Sequence, residues 1–191
     1  MKKFEVEKAI LVSLGVGALL VTVATAPGIL GALGVILKIK EDAKRLKKQS
    51  MLRAIQRLKE ERKIDFVKKN GQIYLEITER GKKRLRQFEF QDMRLEIPKR
   101  LTGGWTVILF DIPETRKTAR DALRMKLYEL GCFQYHKSVF VHPANCGDEI
   151  DFISDFFQIG QYVAHFRAPA LGQREHLVYR HFAKEKEAGT V

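Results

Sequence analysis

The sequence predicts an α+β protein in two parts, and three observations lead there. Two β-rich runs, Ile64-Asp65-Phe66-Val67 and Gln72-Ile73-Tyr74-Leu75-Glu76-Ile77, flank Asn70-Gly71 between helical stretches. Residues 105 to 166 then alternate as strand, helix, strand, strand, helix, strand. Charge is also divided along the chain. Residues 38–100 hold 21 basic and 10 acidic side chains, whereas residues 101–191 hold 11 of each, so nearly all of the net +12 sits in one 63-residue stretch. At 191 residues, 45% hydrophobic and 30% charged, the chain can bury a core and is neither disordered nor low-complexity. Its two cysteines, Cys132 and Cys146, build no disulfide framework, which favours a reducing, cytoplasmic setting.

The amino-terminal element is unusually apolar. No charged residue occurs from Ile10 to Leu37, a run of 28 positions that Pro27-Gly28 divides. A helix over Ile10 to Ala26 would span about 26 Å, short of a hydrocarbon core of about 30 Å. The run is therefore read as a buried first helix and partner surface. Membrane contact by residues 10–37 is the alternative, and a signal peptide ending near Ala24-Thr25-Ala26 is opposed by Glu5 and Glu7 in its flank.

Residues 41–62 follow helical spacing, with Leu52, Ile55 and Leu58 on one face and Arg53 and Arg57 on the other. Asn-Gly between β-rich runs is a strong hairpin signal, here with Lys68 and Lys69 at the tip. Thr78 caps a further helix from Glu79 to about Phe88 that holds Arg80, Lys82, Lys83, Arg84 and Arg86. Helices followed by a basic-tipped hairpin make a winged helix-turn-helix, assigned to residues 1–94. Leu95 to Gly104, with Pro98 and Gly103-Gly104, reads as a linker.

Residues 105–191 read as a ferredoxin-like βαββαβ dimerisation domain with a C-terminal extension. Its parts are a buried strand Trp105–Phe110, a helix from Thr115 to Leu130, strands at 132–135 and 138–142, a helix from Glu149 to Phe157 and a last strand Tyr162–Phe166. The stretch Trp105 to Glu114, followed by Arg116, Arg120, Leu127, Gly131 and Lys137-Ser138-Val139-Phe140-Val141, resembles a domain shared by two groups. One is the PaaX-like family of transcriptional repressors, which join a winged helix to such a domain. The other is the small CRISPR-associated spacer-acquisition endoribonuclease, which lacks a winged helix. The combination seen here is similar to the PaaX-like layout.

The basic segment suggests duplex DNA, because cations that neutralise phosphates release counterions on binding. In a winged helix the second helix of the turn enters the major groove and the wing touches backbone or minor groove. That reading selects Lys47, Lys48, Arg53, Gln56, Arg57, Lys68, Lys69 and Asn70 as DNA-binding residues. Together with the resemblance it implies a homodimeric, sequence-specific regulator, a repressor, with no cofactor and no catalytic residue. The alternative is a metal-dependent nuclease or a DNA-holding adaptor of CRISPR spacer acquisition. In that resemblance Asp111 matches the metal-ligating carboxylate, and two copies in a dimer would share Mg²⁺. A plainer role has Asp111 holding the turn before the helix or pairing with Arg116. The five histidines and two cysteines fit no zinc spacing, and no Walker A, G-x-G-x-x-G or G-x-S-x-G motif occurs.

Overall fold

The computed structural model describes residues 3–15, 46–69, 72–101 and 103–187. The chain divides into two compact units, Met1–Gln91 and Asp92–Val191.

The first unit contains helix α1 (Lys3–Gly15), helix α2 (Leu46–Glu60), an antiparallel hairpin β1 (Ile64–Lys69) and β2 (Gln72–Ile77), and helix α3 (Glu79–Asp92). Val6, Ile10, Leu11 and Leu14 recur at helical spacing on α1 and join Ala54, Ile55 and Leu58 of α2, Ile64, Leu75 and Phe88 in one core. The α1 helix is thus a buried first helix. It begins before the uncharged run, and its charged Glu7 is itself buried. Lys63 Nζ donates to Glu7 Oε1 at 2.6 Å and Arg84 Nε approaches the same oxygen at 3.5 Å, which offsets the cost of desolvating the carboxylate. Among the described residues no helix is long and apolar enough to cross a membrane. Residues 16–45, which hold most of the apolar run and its Pro27-Gly28 interruption, lie outside the described residues.

Local chemistry sets the boundaries. Arg62 adopts φ 54° just after α2, where the Lys63 amide reaches back to Leu58 O at 2.8 Å. Thr78 Oγ1 accepts from the Gly81 amide at 3.1 Å, the N-cap bond expected of it, and donates to Arg62 O at 2.7 Å. Gly81 is obligatory, since a Cβ there would lie 2.0 Å from Lys63 O.

In the second unit, β3 (Trp105–Phe110), α4 (Lys117–Glu129), β4 (Phe133–His136), β5 (Val139–His142), α5 (Gly147–Phe156) and β6 (Val163–Ala168) follow the expected order. The sheet runs β4-β5-β3-β6, antiparallel throughout, which is the ferredoxin-like arrangement with the first strand central. The final helix α6 (Glu175–Glu187), for which no element was expected, covers the sheet face of Trp105, Val107 and Val141 with Val178 and Phe182. Trp105 Nε1 donates to Glu175 Oε1 at 2.6 Å at the start of that helix. The opposite face carries Ile108 and Phe140, partners in register, with Tyr128 of α4 set edge-on to Phe140. His165 of β6 meets Asp151 of α5 on that same side at 2.9 Å. Residues 95–104, expected as a linker, belong to the second unit: Ile97 and Leu101 pack on its core, and Lys186 Nζ donates to Lys99 O at 2.9 Å.

Candidate nucleic-acid interface

The apolar spacing of α2 decides which of its side chains face outward. With Ala54, Ile55 and Leu58 buried, Arg53 and Gln56 are exposed and Arg57 half-buried, three positions that share a stripe with Glu60. The stripe is not purely cationic. Gln56 Nε2 donates to Glu60 Oε1 at 3.1 Å, and Arg57 helps to hold the Glu61 carboxyl below its ordinary range, after the larger effect of the hydrogen bond from Lys63. Arg53, about two turns away from those carboxylates, is the basic side chain of the stripe best placed to meet an anion.

The hairpin adds a second cation. Lys68 is exposed and, by strand alternation, lies on the face that Ile64 and Phe66 turn to the core. Lys59 of α2 sits over the Phe66 ring, 4.7 Å from its centroid, so Lys59 and Lys68 border the same side of the hairpin. Lys59 was not singled out in the sequence, although its place one turn before the hairpin is the signal that could have found it. Strand pairing of Lys69 with Gln72 leaves two residues to connect the strands, as Asn-Gly predicts. The side chains of Lys47, Lys48 and Lys69, and Asn70 altogether, lie outside the described residues.

The basic helix α3 divides its charge. Arg84 turns inward, to Glu7, to Gln87 Oε1 at 3.1 Å and over the Phe88 ring. Lys82 pairs with Glu79 at 2.7 Å, while Arg80 and Lys83 are exposed.

Asp111 closes β3 and is exposed. Its amide donates to Tyr162 O at 2.9 Å, and it shares an open pocket of about 500 Å³ with Ser138 and Tyr162. The expected pairing with Arg116 is not made: Arg116 Nη1 donates to Gln158 O at 2.8 Å. The turn is instead held by Glu114, which takes Arg120 Nη1 at 2.8 Å and lies 3.9 Å from Lys117, and the Arg120 bond keeps its carboxyl below the usual range. Among the described residues no three His, Cys, Asp or Glu side chains cluster as a metal site. Cys132 and Cys146 are both buried free thiols, and burial pushes Cys146 up to about 11 and Cys132 higher still.

Residues 98–178, from just before β3 into the first turn of α6, match the family model of the PaaX protein central Cas2-like domain. No curated protein and no solved structure matches the chain. In its βαββαβ order and antiparallel sheet, the second unit is similar over those residues to the PaaX protein central Cas2-like domain.

Proposed function

We propose that the protein is a cytoplasmic, dimeric, sequence-specific DNA-binding regulator, a repressor, whose first unit works as a winged helix-turn-helix on duplex DNA. The observation that carries this reading is the coincidence of charge and architecture. The stretch holding nearly all of the excess charge is the one in which a helix with an outward Arg53 leads into a hairpin bearing Lys68. Helix α2 supplies base contacts and the hairpin supplies phosphate contacts, because specificity needs base edges whereas phosphates add affinity without sequence information. Transcriptional regulation by PaaX-like proteins agrees with both. A second copy would present the two helices to an inverted repeat. Leu109 and Phe166, 37% and 52% exposed on the sheet face beyond α6, offer apolar surface for that copy to cover.

Footprinting around the protein's own gene, with and without Mg²⁺, first defines an operator: a protected palindrome supports the regulator, and cleavage supports the nuclease. Salt titrations on operator and scrambled duplex then separate the roles. Arg53→Ala or Arg57→Ala should remove about 1 to 3 kcal/mol of discrimination. Lys68→Ala with Lys69→Ala should weaken both duplexes alike and reduce the salt slope by roughly one per lost phosphate contact. Intact discrimination in the arginine variants, with a flat salt dependence throughout, refutes the proposal.

A further inference from the structure

Strand β6 lies at one edge of the four-stranded sheet, with β3 on its inner side. Natural sheets protect such edges with short strands, bulges, lysine or proline, because the outer row of N–H and C=O groups invites another strand. The opposite edge is protected in this way. There β4 has four residues, a register shift between Gln134 and His136 breaks its pairing, and Lys137 follows. β6 has none of these devices: it pairs with β3 at all six residues without a shift, and its sequence Val-Ala-His-Phe-Arg-Ala holds neither lysine nor proline.

The hydrogen-bond phase identifies the groups on that edge. The Asp111 amide donates to Tyr162 O at 2.9 Å, and in an antiparallel pair such bonded partners alternate with unbonded ones. Ala164, Phe166 and Ala168 therefore turn their backbone groups to β3, while those of Val163, His165 and Arg167 point to the outer edge. The Val163 amide is taken by Gly160 O. Among the described residues no other backbone group takes up Val163 O, the His165 N–H and C=O, or the Arg167 N–H. The two polar side chains also turn back from the edge. Arg167 donates to Thr106 Oγ1 and Gly103 O at 2.8 and 2.6 Å, and His165 Nε2 meets Asp151 of α5 at 2.9 Å.

The free groups are self-complementary about a two-fold axis at His165. Antiparallel pairing with a second copy of β6 sets His165 opposite His165 and Val163 opposite Arg167. The histidines then exchange two bonds, and Val163 O accepts the Arg167 N–H at each end. The same register sets exposed Phe166 opposite the small, exposed Ala164 of the second copy. Ala164 is itself the partner of Leu109 on β3, so Phe166 of one copy packs over Ala164 of the other and beside its Leu109, strands being about 4.8 Å apart. A shift of two residues either way sets Phe166 against Phe166 or Tyr162 and loses this large-on-small match. Charge does not oppose a like partner, since residues 101–191 hold 11 basic and 11 acidic side chains.

We infer that the outer edge of β6 is the homodimer interface, pairing antiparallel with β6 of a second copy, centred on His165, to join the two sheets into one of eight strands. This rests on the dimer proposed above and names the surface that makes it.

The test uses the full chain. Light scattering after gel filtration should give the mass of two chains. Phe166→Glu, at an exposed site, and His165→Pro, which removes an outward N–H but no bond to β3, should each raise the dimer Kd at least about tenfold, with Trp105 fluorescence reporting that the fold is kept. Register is read by mixing an Ala164→Cys chain with a Phe166→Cys chain and oxidising with diamide. The mixture should form a disulfide between the two variants. Neither variant alone should do so, because like residues lie diagonally across the pairing, beyond the roughly 7 Å that a disulfide spans. A monomeric wild type refutes the dimer and this inference with it, leaving the edge to some other partner. A dimer unchanged in folded Phe166→Glu and His165→Pro chains, or a mixture that forms no disulfide between the two cysteine variants, overturns the β6 interface alone and leaves the dimer standing. If the first two variants fail to fold, the cysteine pair decides.

Discussion

Three helices of this protein end in the same backbone motif but with different residues at its strained position, which allows a quantitative test. After α2, α4 and α5 the chain turns through a left-handed residue: Arg62 at φ 54°, Gly131 at φ 76° and Gln158 at φ 55°. In each case the next amide reaches back five residues, Lys63 to Leu58 O at 2.8 Å, Cys132 to Leu127 O at 2.9 Å and Ile159 to Ser154 O at 2.8 Å. The left-handed residue bonds three back, at 2.9 to 3.0 Å. This is the Schellman termination, where glycine is favoured. A side chain in that conformation costs about 1 to 2 kcal/mol, and glycine gives back about 0.5 to 1 kcal/mol in lost backbone entropy. Arg62→Gly and Gln158→Gly should therefore each stabilise their unit by about 0.5 to 1 kcal/mol. Gly131→Ala should destabilise by a similar amount without a clash, because a Cβ there meets nothing within 4 Å. Trp105 is the single tryptophan and lies in the second unit, so its fluorescence in urea reports Gln158→Gly and Gly131→Ala. Amide exchange across Leu58 to Ile64 reports Arg62→Gly. If both glycine substitutions destabilise, or Gly131→Ala is neutral, backbone strain does not control these termini.

Three further outcomes follow from the structure. Glu7→Ala should destabilise the first unit by about 2 kcal/mol, since it removes the carboxylate shared by Lys63 and Arg84 in a poorly solvated site; a neutral result by urea denaturation would show that the pair is dispensable. His142 titrates at about 4 when folded against 6.5 when free, so its neutral form favours folding above pH 6.5. That stability should fall as the pH drops from 6.5 towards 4, with a slope approaching about 1.4 kcal/mol per pH unit that His142→Phe flattens; an unchanged slope in the variant assigns the loss to other groups. Asp111→Ala should leave DNA affinity nearly unchanged, because an exposed anion gains nothing from phosphate without a metal; Mg²⁺-dependent cutting that this substitution abolishes would install the nuclease alternative instead.

Much of the architecture was legible because it is local. Asn70-Gly71 announces a hairpin, Thr78 announces a helix start and Trp105–Phe110 announces a buried strand, each from neighbours in sequence. What could not be read depends on distant partners. Glu7 looked like a polar flank until Lys63 and Arg84 supplied its charge partners from 56 and 77 residues away. Helix α6 was missed because it fully buries only Val178 and Phe182, too few to set a clear periodicity, and is pinned by Glu175 to Trp105, 70 residues earlier.

The way carboxylates are distributed explains why the two units suit different partners. In the second unit several basic side chains meet local acids, carbonyls or a hydroxyl: Arg120 with Glu114, Lys126 and Arg94 with Glu129, and Arg167 with Thr106 Oγ1, Ala144 O and Gly103 O at 2.6 to 2.9 Å. Charges so engaged contribute little to a long-range field, and the 11 acidic residues of 101–191 balance its 11 basic ones. The first unit engages Lys63 and Arg84 in its interior and Lys82 with Glu79, yet Arg53, Lys68, Arg80 and Lys83 remain exposed in a segment with twice as many bases as acids. A polyanion, as proposed, would therefore find its counter-charge on the first unit. The second unit, whose charges nearly cancel and whose sheet leaves Leu109 and Phe166 exposed, would suit the contact proposed for it with another copy of itself, in which long-range charge contributes little.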